Sequence, residues 1–376
     1  MKRKEFLGLS GMMLAGAAMP GGRLFGEEIK DVASGPAKLD ARIFEVQMQY
    51  AWTLSRGTWN VRQNVLLRLE KDGVAGMGES APIARYNESA ESGMAFLEKA
   101  RPILDRDLWQ YVDRWNEIDA LTSGEHAIKA ALDMAILDWV SRKLGVPLYK
   151  FLGLDKAKTP VTTYSIGIDE VKVMQEKIRA YPDFGYYKIK LGTPNDKAII
   201  EGIREVTDKP LRPDANEGWK TKEEALAMID WMADKGVELI EQPMPAGMFA
   251  EYKWLKERSK LPIFADESMM TARDIPSLVD GFHGINIKLM KSGGVQEALR
   301  MIAIARALGL KIMIGCMTET SVAIASAASI APLVDYADLD GNLLISNDPF
   351  KGFKRDKDRM IVSDEPGLGL TGDVWK

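Results

Sequence analysis

Acids and lysines recur through the second half of this chain at intervals that chemistry could use. Lys188 and Lys190 stand two apart in the run YYKIKLG. Asp214, Glu241, Asp266, Lys288, Cys316 and Asp338 follow Lys190 at steps of 22 to 28 residues, and Asp340 lies two beyond the last. Three carboxylates brought together repel one another and raise each other's pKa unless a cation lies among them. Oxygen donors with no His or Cys nearby favour Mg²⁺ over zinc. Lysines on both sides of such an ion suit removal of a proton from one face of a carbon and delivery of one to the other. A lysine is a base only when neutral. The expectation is therefore a lowered lysine pKa, with Lys188 as the outer lysine, tuning Lys190 or meeting a substrate carboxylate. Mg²⁺ and Lys188 would stabilise the ene-diolate left when a carbon next to a carboxylate loses its proton.

Each step is one strand-and-helix unit long. Short β-branched runs are read as strands at TTYSIG, YYKIKL, LRPDA, LIEQP, FADES, INIKL, KIMIGCM and YADLDG. Helices are expected near 170–180, 196–207, 221–235, 248–259, 271–280, 294–308 and 320–330. This alternation predicts a (β/α)₈-type barrel. Residues at the C-terminal ends of its strands converge on one mouth. The second and sixth strands of eight lie roughly opposite, so Lys190 and Lys288 would face each other across a substrate. Alternation along a strand sends Lys188 and Lys190 to one face, and Tyr187, Ile189 and Leu191 to the other. Asp338 and Asp340 likewise share a face. Two carboxylates remote from the metal suit a substrate ammonium.

The first half has a different rhythm. Residues 42–50 and 64–70 read as strands joined by a polar loop, TLSRGTWN, and a third strand reaches Gly78. Helical periodicity starts near Glu88 and is strongest from Gly124 to Leu144, where Gly145 and Pro147 stop it. Strands followed by helices predict a separate α+β domain. The expected division is a leader at 1–35, the α+β domain at 36–150, the barrel at 151–350, and a tail at 351–376 that packs back on the first domain. Lys2, Arg3 and Lys4 precede an apolar run from Phe6 to Met19. The run is short for a membrane span and is similar to a twin-arginine export signal. A periplasmic location is expected, with the cytoplasm as the alternative.

Composition narrows the rest. The chain has 376 residues, 46% apolar and 28% charged, with net charge −4, so a nucleic-acid or acidic-membrane partner is not expected. One cysteine excludes an internal disulfide, and two histidines leave acid–base work to Lys, Asp, Glu or Tyr. A small-molecule substrate is expected, bound by a homo-oligomer.

Taken with their flanking residues, these motifs resemble the muconate-lactonizing subgroup of the enolase superfamily. The resemblance rests on KIK at 188–190, DAN at 214–216, EQP at 241–243, DES at 266–268, KLMKSGG at 288–294, GMGESAP at 76–82 and KAALDMAILD at 129–138. It implies a modified (β/α)₇β barrel under an α+β capping domain. It also implies Mg²⁺ on Asp214, Glu241 and Asp266, with Lys190 and Lys288 as the acid/base pair. The D-x-D at 338–340 is similar to that of dipeptide epimerases. From that likeness Thr163 and Cys316 are expected to line the substrate pocket, and Arg56 to meet an acidic C-terminal side chain. The implied reaction is inversion of the C-terminal α-carbon of L-Ala-Glu-like dipeptides, linked to murein peptides. Alternatives in the same site are o-succinylbenzoate synthesis, N-acylamino acid racemisation or a muconate-cycloisomerase-type reaction. A peptide-binding protein without catalysis is the alternative outside it.

Overall fold

The structure is a computed structural model that describes residues 35–372, 374 and 375. The expected leader lies outside the described residues. The chain begins with an antiparallel sheet of β1 (Lys38–Leu54), β2 (Gly57–Lys71) and β3 (Val74–Ser80). The polar loop expected at TLSRGTWN is instead the end of a long hairpin. Trp52 pairs with Trp59, Thr53 with Thr58 and Leu54 with Gly57, so only Ser55 and Arg56 turn. Cross-strand aromatic and threonine pairs stabilise strands, and composition alone hid that pairing. The register shifts between Gln47 and Trp52, where a bulge bends the hairpin.

Three helices cover this sheet: α1 (Ala90–Leu104), α2 (Tyr111–Ala120) and α3 (His126–Lys143). Ser89 and Ser92 form a reciprocal cap at the start of α1. Strand β3 lies directly on α3. A Cβ at Gly76 would stand 2.0 Å from the Ala135 carbonyl oxygen, and one at Gly78 only 1.9 Å from that of Ala131. Only glycine permits that approach. Almost all of α3 is buried, and its two acids act as struts. Asp138 accepts from Met77 N (2.9 Å) and Leu368 N (2.7 Å). Asp133 accepts from Val295 N (2.6 Å) and Gln296 N (3.1 Å), so it satisfies the start of a helix 160 residues further on.

After a one-turn α4 (Leu148–Phe151), strand and helix alternate. The order begins β4 (Tyr164–Ile166), α5 (Val171–Ala180), β5 (Tyr187–Lys190), α6 (Asp196–Arg204), β6 (Leu211–Asp214), α7 (Lys222–Met232) and β7 (Ile240–Glu241). It continues α8 (Phe249–Lys256), β8 (Ile263–Ala265), α9 (Ile275–Leu278), β9 (Gly284–Lys288), α10 (Leu289–Ser292), α11 (Val295–Ala307), β10 (Lys311–Gly315), α12 (Ser321–Ile330) and β11 (Tyr336–Asp338). The eight strands pair in sequence order and in parallel. A bridge between Thr162 and Ala337 closes the ring. No helix of the described residues is long and apolar enough to cross a membrane.

Two details depart from expectation. Helix α9 is a single turn, because the Asp274 carboxylate takes the amides of Met270 and Thr271 into a loop. An extra turn, α10, follows β9 and ends where Gly293 and Gly294 adopt φ of 91° and 131°. The barrel strands are buried on both faces. Tyr187 and Ile189 join the apolar layer beneath the helices, and the alternate positions look inward. Beyond Phe350, a hairpin of β12 (Lys354–Asp356) and β13 (Arg359–Ile361) leads to a return strand at Gly367, which bonds the backbone of Val146 and Leu148.

Candidate active site

Lys188 and Lys190 both point into the barrel and are nearly fully buried, at 3% and 6% exposure. Strand β5 runs toward the mouth, so Lys188 is the deeper of the two and not the outer lysine that was expected. Its ammonium donates to both Glu241 oxygens (3.0 and 2.9 Å) and to Asp338 Oδ2 (2.7 Å), and lies 3.2 Å from Asp214. Lys190 Nζ donates to Asp214 Oδ2 at 2.6 Å. Four strands round the ring, Lys288 Nζ donates to Asp266 Oδ2 at 2.8 Å.

Asp214, Glu241 and Asp266 end three consecutive strands or the residue just beyond. One oxygen from each lies within 4.8 Å of the others, so a single ion can touch all three. The donor set is all oxygen and wholly buried, and it fits a hard divalent cation such as Mg²⁺. Electrostatics set the three apart. Burial and the neighbouring Asp214 charge push Glu241 up to about 8. Burial also opposes ionisation of Asp214, but Lys190 and Lys188 outweigh it and hold that carboxyl below its ordinary range. Asp266 is likewise held well below its ordinary range, by Lys288 and Lys291 against burial. Lys288 responds in kind. Burial lowers Lys288, yet Asp266 outweighs it and keeps the ammonium above the ordinary lysine range. The carboxylates by themselves thus act opposite to the depressed lysine pKa expected from sequence.

Two residues without an expected role orient this cluster. Asn286, on the same face of β9 as Lys288, donates to Glu241 Oε1 at 3.0 Å. Lys291, in α10, bonds Asp266 Oδ1 and donates to its backbone oxygen at 2.6 Å. Strand alternation in INIKL marks Asn286; Lys291 depends on the extra helical turn, which sequence did not reveal.

Across the ring, Asp338 and Asp340 are buried against the first strand. Asp338 accepts from Thr163 Oγ1 at 2.5 Å, and Asp340 accepts from Ser165 N at 2.5 Å and Ser165 Oγ at 3.3 Å. Burial raises Asp338, but Lys188 outweighs it and lowers that carboxyl. Burial and Asp338 push Asp340 up to about 7. A cavity of about 260 Å³ opens between hairpin and barrel. Lys188, Lys190, Asp266, Lys288, Cys316, Asp338 and Asp340 reach it, and so does Arg56 from the hairpin turn. Thr163 does not. It lies one layer down and holds Asp338, while Ser165, two residues along the same strand face, takes the place at the wall. Cys316 keeps its proton, because burial pushes the thiol well up. The Arg56 guanidinium is engaged by the protein's own acids, Glu267 at 2.7 Å and Glu217 at 3.3 Å.

Comparison with known proteins agrees with this geometry. Residues 38–153 match the mandelate racemase / muconate lactonizing enzyme N-terminal domain, and residues 171–375 match the enolase C-terminal domain-like family. The chain belongs to the mandelate racemase / muconate lactonizing enzyme group of the enolase superfamily. It is 43% identical over 337 residues to an L-Ala-D/L-Glu epimerase of Bacteroides thetaiotaomicron, covering 89% of this chain and 88% of that one. Among solved structures it resembles the substrate-liganded L-Ala-D/L-Glu epimerase from Bacillus subtilis, with TM-score 0.85 and 30% identity over 90% of this chain and 99% of that one. It also resembles a dipeptide epimerase from Enterococcus faecalis complexed with Mg and L-Leu-L-Tyr, with TM-score 0.84, 30% identity and the same coverage.

Proposed function

We propose that this protein is a Mg²⁺-dependent dipeptide epimerase that inverts the α-carbon of the C-terminal residue. The observation that carries the reading is the pairing of Lys190 and Lys288. They lie four strands apart round an eight-stranded ring, each bonded to an acid of one three-carboxylate cluster. Binding alone has no use for two opposed amines.

Asp214, Glu241 and Asp266 would hold the ion. When bound, Mg²⁺ supplies a Lewis acid for the substrate carboxylate and so favours the negative charge that proton loss leaves. One lysine, as the neutral amine, takes the α-proton of one epimer. The other, as the ammonium, returns a proton to the opposite face. The roles exchange for the other epimer, and the substrate passes through an ene-diolate. Lys188 holds Glu241 and Asp338 in place and adds positive charge below the reacting carbon. Asp338 and Asp340 receive the dipeptide's ammonium at the far end, with Ser165 and Thr163 fixing their carboxylates. Cys316 contributes an uncharged wall. The names of the relatives support an L-Ala-Glu-like substrate, of the kind murein peptides contain.

Lys190→Ala tests the scheme. In heavy water the variant should still exchange the α-proton of one epimer of L-Ala-Glu and lose exchange of the other. Exchange of both at the wild-type rate would refute two-base chemistry. The export leader belongs to the same proposal, and sequencing the mature N-terminus would test it: a start near residue 35 supports export, and an intact Met1 places the reaction in the cytoplasm.

A further inference from the structure

The turn α10 (Leu289–Ser292) carries Lys291 to Asp266. Lys291 is 1% exposed, so its ammonium must find acceptors inside the protein. It finds the Asp266 carboxylate, the Asp266 backbone oxygen at 2.6 Å and the Asn286 backbone oxygen at 3.2 Å. Strands β8 and β9 set the place of those acceptors. They do not set the place of the donor, because α10 is a single turn, and one turn makes too few hydrogen bonds to hold itself.

The N-terminal sheet and its helices hold it instead, at three successive points. Ala81 N, just past β3, meets Met290 Sδ at 3.2 Å. Trp115 Nε1, on α2, donates to Gly293 O at 3.1 Å. Asp133, on α3, accepts from Val295 N (2.6 Å), Gln296 N (3.1 Å) and Gln296 Nε2 (2.7 Å). The third hold is the firmest. Hydrogen bonds to a carboxylate are the strong kind, and Asp133 is fully buried. The turn also lies directly on it, since a Cβ at Gly294 would stand 2.4 Å from Asp133 Oδ2. Asp133 does not itself line the cavity.

We infer that Asp133 is a positioning residue for the metal centre. By fixing the end of the 289–294 turn from outside the barrel, it seats Lys291 on Asp266 and aims Lys288, which opens the same turn. The helix under the N-terminal sheet thus completes the metal site without touching it.

The test compares the two buried acids of α3. Asp138 bonds Met77 N and Leu368 N and no residue of the turn, so Asp138→Ala reports the general effect of losing a strut. Both alanine variants should melt below the wild type. Only Asp133→Ala should weaken Mg²⁺ in calorimetric titration, by about 10-fold, while Asp138→Ala stays within about 2-fold. Asp133→Asn keeps an oxygen for both backbone amides and should weaken Mg²⁺ by about 3-fold. With Asp138→Asn beside it, that pair carries the comparison if an alanine variant does not fold. In a Lys291→Met background, Asp133→Ala should change Mg²⁺ affinity by less than about 2-fold, because the link it acts through is gone. A last readout rests on the two-base reading above. At saturating Mg²⁺, Asp133→Ala should slow α-proton exchange of the epimer that Lys190→Ala still exchanges by about 10-fold more than that of the other. The inference fails if both acids or neither affect Mg²⁺, if the effect survives in the Lys291→Met background, or if both epimers slow equally. If the wild type binds Mg²⁺ and exchanges neither epimer, the catalytic reading fails and calorimetry alone decides the role of Asp133.

Discussion

Asp340→Asn isolates the feature that ties the site to a free amine. The Asp340 carboxyl is pushed to about 7 from an ordinary 3.8, first by burial and then by Asp338, against the pull of Lys188. A gap of about three units disfavours its charged form by about 4 kcal/mol. A substrate ammonium beside it would restore ionisation, and a hydrogen bond between charged groups contributes about 1.5–3 kcal/mol. The variant should therefore lose about 10- to 100-fold in kcat/KM for L-Ala-L-Glu, and change N-acetyl-L-Ala-L-Glu by less than about 3-fold. Proton NMR of α-deuterium uptake measures both. In the wild type, KM for the free dipeptide should fall as pH rises through about 7. It should rise again as the dipeptide's own amine deprotonates near pH ~8. The first limb should be flat in the variant. Stability gives an independent check. The folded pKa lies above the unfolded one, so the native state binds more protons between about pH 4 and 7, and ionisation erodes stability as pH rises through that window. Asp340→Asn should gain thermal stability over the wild type at pH 8 and not at pH 4. Equal loss on both substrates, or a pH limb that survives the substitution, would refute the assignment.

Three further outcomes are expected. Chelation should abolish exchange and Mg²⁺ should restore it, while Glu241→Gln should abolish calorimetric Mg²⁺ binding. Asn286→Ala, which frees Glu241 and leaves all three carboxylates in place, should weaken Mg²⁺ by about 10- to 100-fold, as loss of an orienting partner does; unchanged affinity would mean Lys188 alone holds Glu241. Gly78→Ala should lower the melting temperature sharply, because its Cβ would meet a backbone oxygen at 1.9 Å that cannot rotate away. Overpacking costs about 1–3 kcal/mol or more, and a melting temperature within a degree of wild type would show that β3 can leave α3.

The barrel and its acids were legible because both follow short periods. Polar residues return once per strand-and-helix unit, and alternation within YYKIKL and INIKL gives the inward face. Family likeness placed Thr163 at the pocket wall. Period two fixes the face but not the depth, and Ser165, two residues nearer the mouth, holds that position. Helix lengths were less legible, since Asp274 delays the start of α9 by a side-chain contact. Least legible was the hairpin. Arg56 finds Glu267 across 211 residues and Asn216 across 160, and nothing local distinguishes it from Arg62, whose own partner is an aromatic ring three residues away.

That contrast has a physical source. The chemistry of this site sits on strand ends, where both backbone neighbours and side-chain face are set by the sheet, and where buried lysines and acids must pair or be lost. The other wall of the cavity is a two-residue turn and its flanking strands, which bond the barrel's backbone (Ile168 N to Thr53 O, 3.0 Å; Gln49 N to Leu344 O, 2.8 Å) but enter the cavity through side chains. A guanidinium there can be spent on a protein acid or kept for a ligand with no change in strand pattern, turn type or composition. Arg56 and Arg62 are six residues apart on one hairpin, yet one meets two acids and the other an aromatic ring.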